Sequence, residues 1–362
     1  MSEVYDPFVR GRYPVGVRTS EARDARRARV FPVELWYPAA ARHAGQDISP
    51  KTRDCFTAPP LNSERCQAAV RDATAEAGVY PLIIFSHSSG GSRRGATFLT
   101  THLASHGYIV AALDHSEVIA AELERKLDET PEQKTARWEA LIASRVPDVL
   151  LLLDHLLGAS HLFGSPGKSE ITIDPTRIGI VGHSFGGWTA LAAPEVDERI
   201  RAVVALAPGG SSQPRPGILP AKLTFNWQRD VPTLLLVAEN DVSLPLEGMY
   251  EIFARTPGTK RMFVLGRADH MHFLDNVEQM HEAVRTMPWT GELAWLPQEM
   301  QPIAQLCSGE DAHLFARGLT LSHLDAFLKH SDNARLYLQD RVETELRSRG
   351  VEGREAVGSS RG

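Results

Sequence analysis

Short apolar runs alternate along this chain with stretches whose apolar residues recur at helical spacing, the pattern of a largely parallel sheet covered by helices. The spacing predicts strands over 30–37, 82–86, 108–113, 178–182, 202–207, 233–238 and 261–265. The later ones are nearly all apolar, as strands covered on both faces are. The first is more mixed, which predicts an antiparallel edge strand with a hairpin partner near 15–18. Between the strands, 95–106 carries Phe98, Leu99 and Leu103 on one helical face. The stretch 187–193 is small and apolar. The long segment 117–157 predicts helices broken near Pro131, with Pro147 opening a new helix because proline is tolerated in a first turn. Helical periodicity resumes over 314–330.

Three stretches lack such periodicity. The segment 39–78 is polar and proline-rich, and 208–231 holds Pro208, Pro214, Pro216 and Pro220 with Phe225 and Trp227. The segment 274–309 predicts an inserted lid after the last strand. No repeat is visible, so residues 1–350 are expected to form a single domain, and the small, charged tail 351–362 is expected to be disordered.

The bulk composition is that of an ordinary globular protein, with 43% hydrophobic and 23% charged residues among 362. A net charge of −6 gives no electrostatic reason to seek nucleic acid or an anionic membrane. Arginines 18, 23, 26, 27 and 29 suggest a transit peptide, but Glu21 and Asp24 interrupt them. No secretory signal is expected from the N-terminal pattern, and no apolar run approaches the roughly 20 residues of a membrane span. Cys55, Cys66 and Cys307 are an odd number, which argues against a disulfide framework and leaves a Cys55–Cys66 bridge open. The expected location is the cytoplasm, where thiols stay reduced.

The chemistry is concentrated in Gly182-His183-Ser184-Phe185-Gly186-Gly187, a Gly-x-Ser-x-Gly run between a predicted strand and a predicted helix. Such a serine stands on a sharp, strained turn that lifts its hydroxyl clear of the sheet. The flanking glycines avoid a collision across that turn, and Gly187 lets the helix approach the sheet. Ser184 is therefore the candidate nucleophile. In this context the run predicts an α/β-hydrolase fold, with a mostly parallel eight-stranded sheet and helices on both faces. An acyl-transfer site also needs backbone N–H groups aimed at the developing oxyanion. One is expected from Phe185 and one from the loop Ser86-His87-Ser88-Ser89-Gly90-Gly91. Ser89 is the first choice there and Ser88 the second.

The triad of this fold runs serine, acid, histidine along the chain. No acidic residue lies between Ala202 and Arg229, so the strand after the elbow cannot supply the acid. The next strand runs into Glu239-Asn240-Asp241, which makes Asp241 the candidate acid and Glu239 the alternative. The last strand ends near Asp269-His270-Met271-His272. His270 is the candidate base and His272 the alternative, since in an extended loop both project to one side. His183 is read as a hydrogen-bonding residue of the elbow, and His87 and His115 as residues that shape the pocket. No cofactor is expected. The histidines show neither metal-ligand spacing with the cysteines nor a His-Glu-x-x-His helix.

The run Pro32-Val33-Glu34-Leu35-Trp36-Tyr37-Pro38 resembles the opening of bacterial predicted dienelactone hydrolases, a group related to platelet-activating-factor acetylhydrolase. The resemblance extends through residues 81–87, 103–108 and 182–187 to His270-Met271-His272-Phe273. The acetylhydrolases are similar in placing a phenylalanine three residues after the catalytic histidine, which favours His270. Their oxyanion loop reads Ser-His-Gly-x-Gly, and the x residue donates its N–H. Ser89 falls at that position, whereas Ser88 replaces the first glycine. Their acid lies at the end of the strand after the elbow, where this chain has Ala207-Pro208, so Asp241 rests on fold geometry alone. True dienelactone hydrolases use cysteine as nucleophile, so their specific activity is not implied.

These features predict a serine hydrolase that cleaves a small carboxylic ester through an acyl-enzyme. Acyl transfer to an acceptor other than water would use the same triad, and a non-catalytic binding protein would not need one. Trp188, Phe225, Trp227, Trp289 and Trp295 are candidates for an acyl pocket or for packing. Arg93 and Arg94 either meet a substrate anion or form a solvated helix start.

Overall fold

The computed structural model describes residues 5–58, 63–126, 128–158 and 171–356. Its strands are β1 (Val15–Asp24), β2 (Arg29–Pro38), β3 (Cys55–Ala58), β4 (Ser63–Cys66), β5 (Val70–Arg71), β6 (Gly78–Ser86), β7 (Ile109–Leu113), β8 (Ile171–His183), β9 (Ile200–Leu206), β10 (Thr233–Ala238), β11 (Lys260–Leu265) and β12 (Gly353–Glu355). Ten of them form one mixed sheet in the order β12-β11-β10-β9-β8-β6-β7-β2-β1-β5. The sheet thus exceeds the expected eight strands by β5 and β12. These span only two and three residues, too short to show a period of their own. β12 also corrects the reading of 351–362 as a disordered tail: Gly353–Glu355 pairs antiparallel with β11, and residues 357–362 lie outside the described residues. Where a single domain is expected, the chain divides into two compact units, Gly11–Ile180 and Met1–Arg10 with Val181–Gly362.

In the unit Gly11–Ile180, β1 and β2 form a long antiparallel hairpin with Val15 opposite Pro38. β2 is not an edge strand, because its other side pairs antiparallel with β7. Its mixed composition has a different cause. Phe31, Val33, Leu35 and Tyr37 are buried on one side, and on the other Glu34, fully buried, is met by Arg71 (2.8 Å) and Arg94 (2.8 Å). Arg93 reaches Glu34 at 3.4 Å and pairs with Asp114. Arg93 and Arg94 are therefore internal counter-ions, neither a solvated helix start nor a free anion site. A carboxylate without solvent is tolerable only when it is paired in this way.

β6 and β7 run parallel, joined through the helix Thr97–Ser105. The hairpin β3–β4 sets Cys55 opposite Cys66, and the two form a disulfide. The helix Pro131–Gly158 begins at the expected proline but runs unbroken through Pro147. Proline inside a helix forfeits one hydrogen bond and costs about 3 kcal/mol. Here Arg145 and Asp148 flank it, and both are fully buried in polar networks that anchor the helix on either side.

In the unit containing Val181–Gly362, β9, β10 and β11 lie parallel, and their buried residues are apolar except Thr233 at the start of β10. The helix Gly309–Leu328 starts at Ser308, whose side chain accepts from Asp311 N–H. Between β11 and that helix, the segment expected as a lid folds into the helices Val277–Thr286 and Leu296–Glu299 with short turns. No helix among the described residues is long and apolar enough to cross a membrane.

Candidate active site

Ser184 stands between the end of β8 and the helix Phe185–Ala192 with φ 61° and ψ −118°. An L-residue is strained there, at a cost of order 1–3 kcal/mol. The turn is closed by main-chain bonds: Ser184 N–H donates to Leu206 O (2.9 Å), while Trp188 N–H and Gly209 N–H donate to Ser184 O (3.0 Å each). The glycines supply room. A Cβ on Gly182 would lie 2.0 Å from Gly186 O, and one on Gly187 would lie 2.9 Å from Pro208 Cα.

The strained turn brings the hydroxyl to an imidazole. Ser184 Oγ is 2.9 Å from His270 Nε2, and His270 Nδ1 is 2.6 Å from Asp241 Oδ2. Asp241 Oδ1 accepts from the N–H groups of Ser243 (2.9 Å) and Leu244 (2.8 Å), which fixes the carboxylate on its loop. All three groups belong to one unit of the chain. Burial opposes the imidazolium of His270, but the charge and hydrogen bond of Asp241, with a contribution from Asp269, outweigh it and hold the His270 pKa above its ordinary value. A hydroxyl, an imidazole and a carboxylate linked in this order make a serine-hydrolase-like cluster.

Comparison with known proteins agrees with this architecture. A ferulic acid esterase from Streptomyces cinnamoneus superimposes with a TM-score of 0.59 at 25% identity, covering 88% of this chain and 92% of that one. The chain is a member of the α/β-hydrolase superfamily. The family model for platelet-activating factor acetylhydrolase, isoform II, matches residues 54–145. The platelet-activating factor acetylhydrolase of Canis lupus familiaris is 33% identical over 156 residues, 35% of this chain and 34% of that protein. A bis(hydroxyethyl) terephthalate hydrolase of Streptomyces coelicolor is 23% identical over 213 residues, 59% of this chain and 56% of that protein. The chain thus spans about a third of the length of the mammalian acetylhydrolases it matches.

Within this α/β-hydrolase the alternative residues are occupied elsewhere. His272 accepts from Asp269 N–H at Nδ1 (3.0 Å) and donates from Nε2 to Cys307 O (3.2 Å). It is fully buried, and burial lowers its pKa to about 4. Glu239 accepts from Arg267 N–H (3.1 Å) and pairs with Arg354 (2.8 Å). His183 is fully buried under the elbow and donates from Nε2 to His270 O (3.1 Å). Asp269 is buried beside the base, and burial, then the charge of Asp241, raise its carboxyl pKa well above the usual range.

Trp188 lies closest in sequence to the nucleophile. Its ring stacks on Phe185 (5.3 Å) and its N–H donates to Lys222 O (2.9 Å). Phe225 and Trp227 pack edge to face, with centroids 5.7 Å apart. Trp289 and Trp295 are fastened to the main chain at Val284 O (2.8 Å) and Pro216 O (3.1 Å), and Arg215 stacks over Trp295.

The other unit holds a second group of serine, histidine and aspartate. Asp148 accepts from Ser116 N–H and Ser116 Oγ (2.8 Å each) and lies 3.2 Å from His115 Nδ1, while His115 Nε2 faces Ser86 Oγ (2.8 Å). Ser116 is bonded to the carboxylate and not to the imidazole. All of these residues are buried, so no substrate carbonyl can reach them and the group is read as internal scaffolding. The neighbouring loop carries Ser89, exposed in a turn closed by Gly91 N–H to Ser88 O (3.0 Å). In that turn only Gly90 has positive φ (62°), so Ser88 fits where the acetylhydrolase pattern has glycine. Sequence reading missed Arg145 and Glu117, a buried pair beneath this loop. Among the described residues no group of His, Cys, Asp or Glu is gathered to hold a metal ion.

Proposed function

We propose that the chain hydrolyses carboxylic esters through an acyl-enzyme on Ser184. The observation that carries this reading is the continuous link from Ser184 Oγ through His270 to Asp241. Asp241 holds the His270 proton on Nδ1 and leaves Nε2 free to take the Ser184 proton. The alkoxide adds to the ester carbonyl, and the N–H of Phe185, the residue after the nucleophile, receives the oxyanion. The imidazolium returns its proton to the leaving alcohol. Water, deprotonated by the same imidazole, then releases the acid and restores the serine.

An ester substrate is the chemistry common to the relatives, an acetylhydrolase, a terephthalate ester hydrolase and a ferulic acid esterase. The acetylhydrolase likeness favours a short acyl chain. The Cys55–Cys66 bridge favours an oxidising compartment over the expected cytoplasm, where thiols stay reduced.

The test is a series of 4-nitrophenyl esters from acetate upward, with Ser184→Ala as control. Hydrolysis by the parent, greatest for the short acyl chains and abolished by Ser184→Ala, is the expected result. A parent without activity, or a Ser184→Ala variant that retains it, would overturn the assignment. A binding protein would give the first of these outcomes.

A further inference from the structure

Behind the base, within the unit that holds Ser184, His270 and Asp241, two buried acceptors face each other. His281, on the helix Val277–Thr286 of the inserted segment, is fully buried. Its Nε2 donates to Gln301 O (2.8 Å). A neutral imidazole carries one proton, so Nδ1 is left as a bare lone pair. That lone pair stands 4.0 Å from Asp269 Oδ1, and Asp269 is buried too. Among the described residues no side-chain donor lies within hydrogen-bond distance of His281 Nδ1 or of either Asp269 oxygen. A carboxylate and a lone pair that face each other away from solvent, with no donor between them, are costly. One proton between them removes that cost.

The neighbouring groups are committed elsewhere. On the turn that carries the base, His272 has both nitrogens bonded, to Asp269 N–H and Cys307 O, and its ring meets His281 edge to face at 6.0 Å. On the helix of His281, Glu282 and Arg285 pair with each other (2.7 Å) and act on its imidazole in opposite senses. Glu278 accepts from Gly309 N–H (2.7 Å). Asp241 is bonded to His270. Burial, then the charge of Asp241, raise the Asp269 carboxyl to about 7, so a proton there is retained near neutrality.

We propose that Asp269 and His281 share one proton, and that this proton passes to His281 when His270 takes the proton of Ser184. The proposal rests on the reading of His270 as the base. In the resting pair the proton is on Asp269 Oδ1 and both residues are neutral. As the imidazolium forms, the O–H bond of Asp269 breaks, its electron pair stays on Oδ1, and an N–H bond forms at His281 Nδ1. The pair as a whole gains no charge. Its negative end, however, now lies beside the imidazolium, and its positive end lies on the inserted segment. The two atoms need to close by about 1 Å to reach hydrogen-bond distance. The charge that appears on Asp269 is one that strengthens the base. His281 is thus a positioning residue, which acts on the base through Asp269, and the docking of the inserted segment is coupled to the strength of that base.

The test follows kcat and the pH dependence of kcat/KM for 4-nitrophenyl acetate. His281→Gln keeps a donor for Gln301 O but takes up no proton, so Asp269 stays neutral. The expected result is kcat lowered about three- to tenfold with KM nearly unchanged, and an acid limb displaced toward lower pH, the direction expected for Asp269→Asn. Two residues that act through one proton do not have additive effects. The double variant Asp269→Asn with His281→Gln is therefore expected to match Asp269→Asn in both kcat and acid limb. That comparison carries the test if His281→Gln alone fails to fold. A folded His281→Gln that keeps the parent's limb, or a double variant displaced further than Asp269→Asn, would overturn the proposal and leave His281 a purely structural role. Ser184→Ala separates the proposal from the reading beneath it. If Ser184→Ala is inactive and His281→Gln leaves the limb unmoved, only the shared proton is wrong. If Ser184→Ala retains activity, the reading of His270 as the base fails and the proposal fails with it.

Discussion

His183 Nε2 donates to the main-chain carbonyl of His270 across 3.1 Å, so the residue beside the proposed nucleophile holds the backbone of the proposed base. The two rings lie with centroids 4.7 Å apart, and burial lowers the His183 pKa well below its ordinary value, which keeps it a neutral donor. His183→Phe preserves a planar ring in the same space but removes the bond. Such a bond contributes about 1 kcal/mol to stability, a small part of the total, while a misplaced base is costly to the rate. The expected outcome is a kcat lowered about tenfold or more with KM little changed, read from steady-state hydrolysis of 4-nitrophenyl acetate. A parent-like kcat in a folded variant would show that the elbow does not position His270.

The carboxylate of Asp241 divides its two oxygens between the imidazole and the N–H groups of Ser243 and Leu244. Asn at this position can still accept from both N–H groups, so the loop is expected to keep its shape. The amide NH2 would then face His270 Nδ1 and force the proton onto Nε2, the tautomer that cannot accept from Ser184. The expected loss in kcat is about three to four orders of magnitude, with the thermal midpoint near that of the parent. A loss of tenfold or less would point to another acid. Glu239 would be the first to test, although its partners are Arg267 and Arg354.

Asp269 lies buried beside the base, and its charge is one of the influences that raise the His270 pKa. The base acts only when neutral, so activity rises with pH through the His270 pKa. Asp269→Asn removes one source of negative charge, and the imidazole should lose its proton at lower pH. The acid limb of the kcat/KM profile is therefore expected to move toward lower pH in the variant. Movement in the opposite direction, or an unmoved limb, would show that Asp269 does not influence the base in its working state. Because Asp269 also titrates high, the parent limb belongs to the pair, and the single-group shape should appear only in the variant.

The candidate triad could be read from local signals, because each member follows a buried apolar strand and the chain order of the fold is fixed. The choice between His270 and His272 could not. An extended loop would place them on one side, but the segment His270–Phe273 forms a 3-10 turn. With about three residues per turn, positions two apart diverge, and only His270 meets Ser184. Pro147 misled for a related reason: its cost is local, whereas the anchors at Arg145 and Asp148 reach partners about thirty or more residues away in sequence. The same distance hid the Arg145–Glu117 pair, since neither residue has a neighbour in sequence that announces the other. The short strands β5 and β12 are fixed by pairing with β1 and β11 and carry no pattern of their own. The Cys55–Cys66 bridge depends on hairpin register, which a polar, proline-rich stretch does not reveal.

Buried neutral histidines should also make the folded chain sensitive to acid. His272 and His323 both have pKa values lowered to about 4 by burial, and each donates to a main-chain carbonyl, Cys307 O and Pro232 O. In the unfolded chain each would titrate near 6.5. The folded pKa is the lower one, so this contribution to stability is fully present above about pH 6.5 and is lost as pH falls toward 4, where the unfolded chain binds protons that the native chain refuses. The loss is of order 3 kcal/mol for each histidine near pH 4. Asp269 acts in the opposite sense, because its raised pKa lets the native state take up a proton first, but it is one group against two. The thermal midpoint is therefore expected to drop between about pH 7 and pH 4.5. His323→Gln retains a donor for Pro232 O and removes the titration, so its midpoint should drop less over the same interval, even if it starts lower. An equal drop in parent and variant would assign the acid sensitivity to the paired carboxylates, among them Glu34 with its arginines, and not to the buried imidazoles.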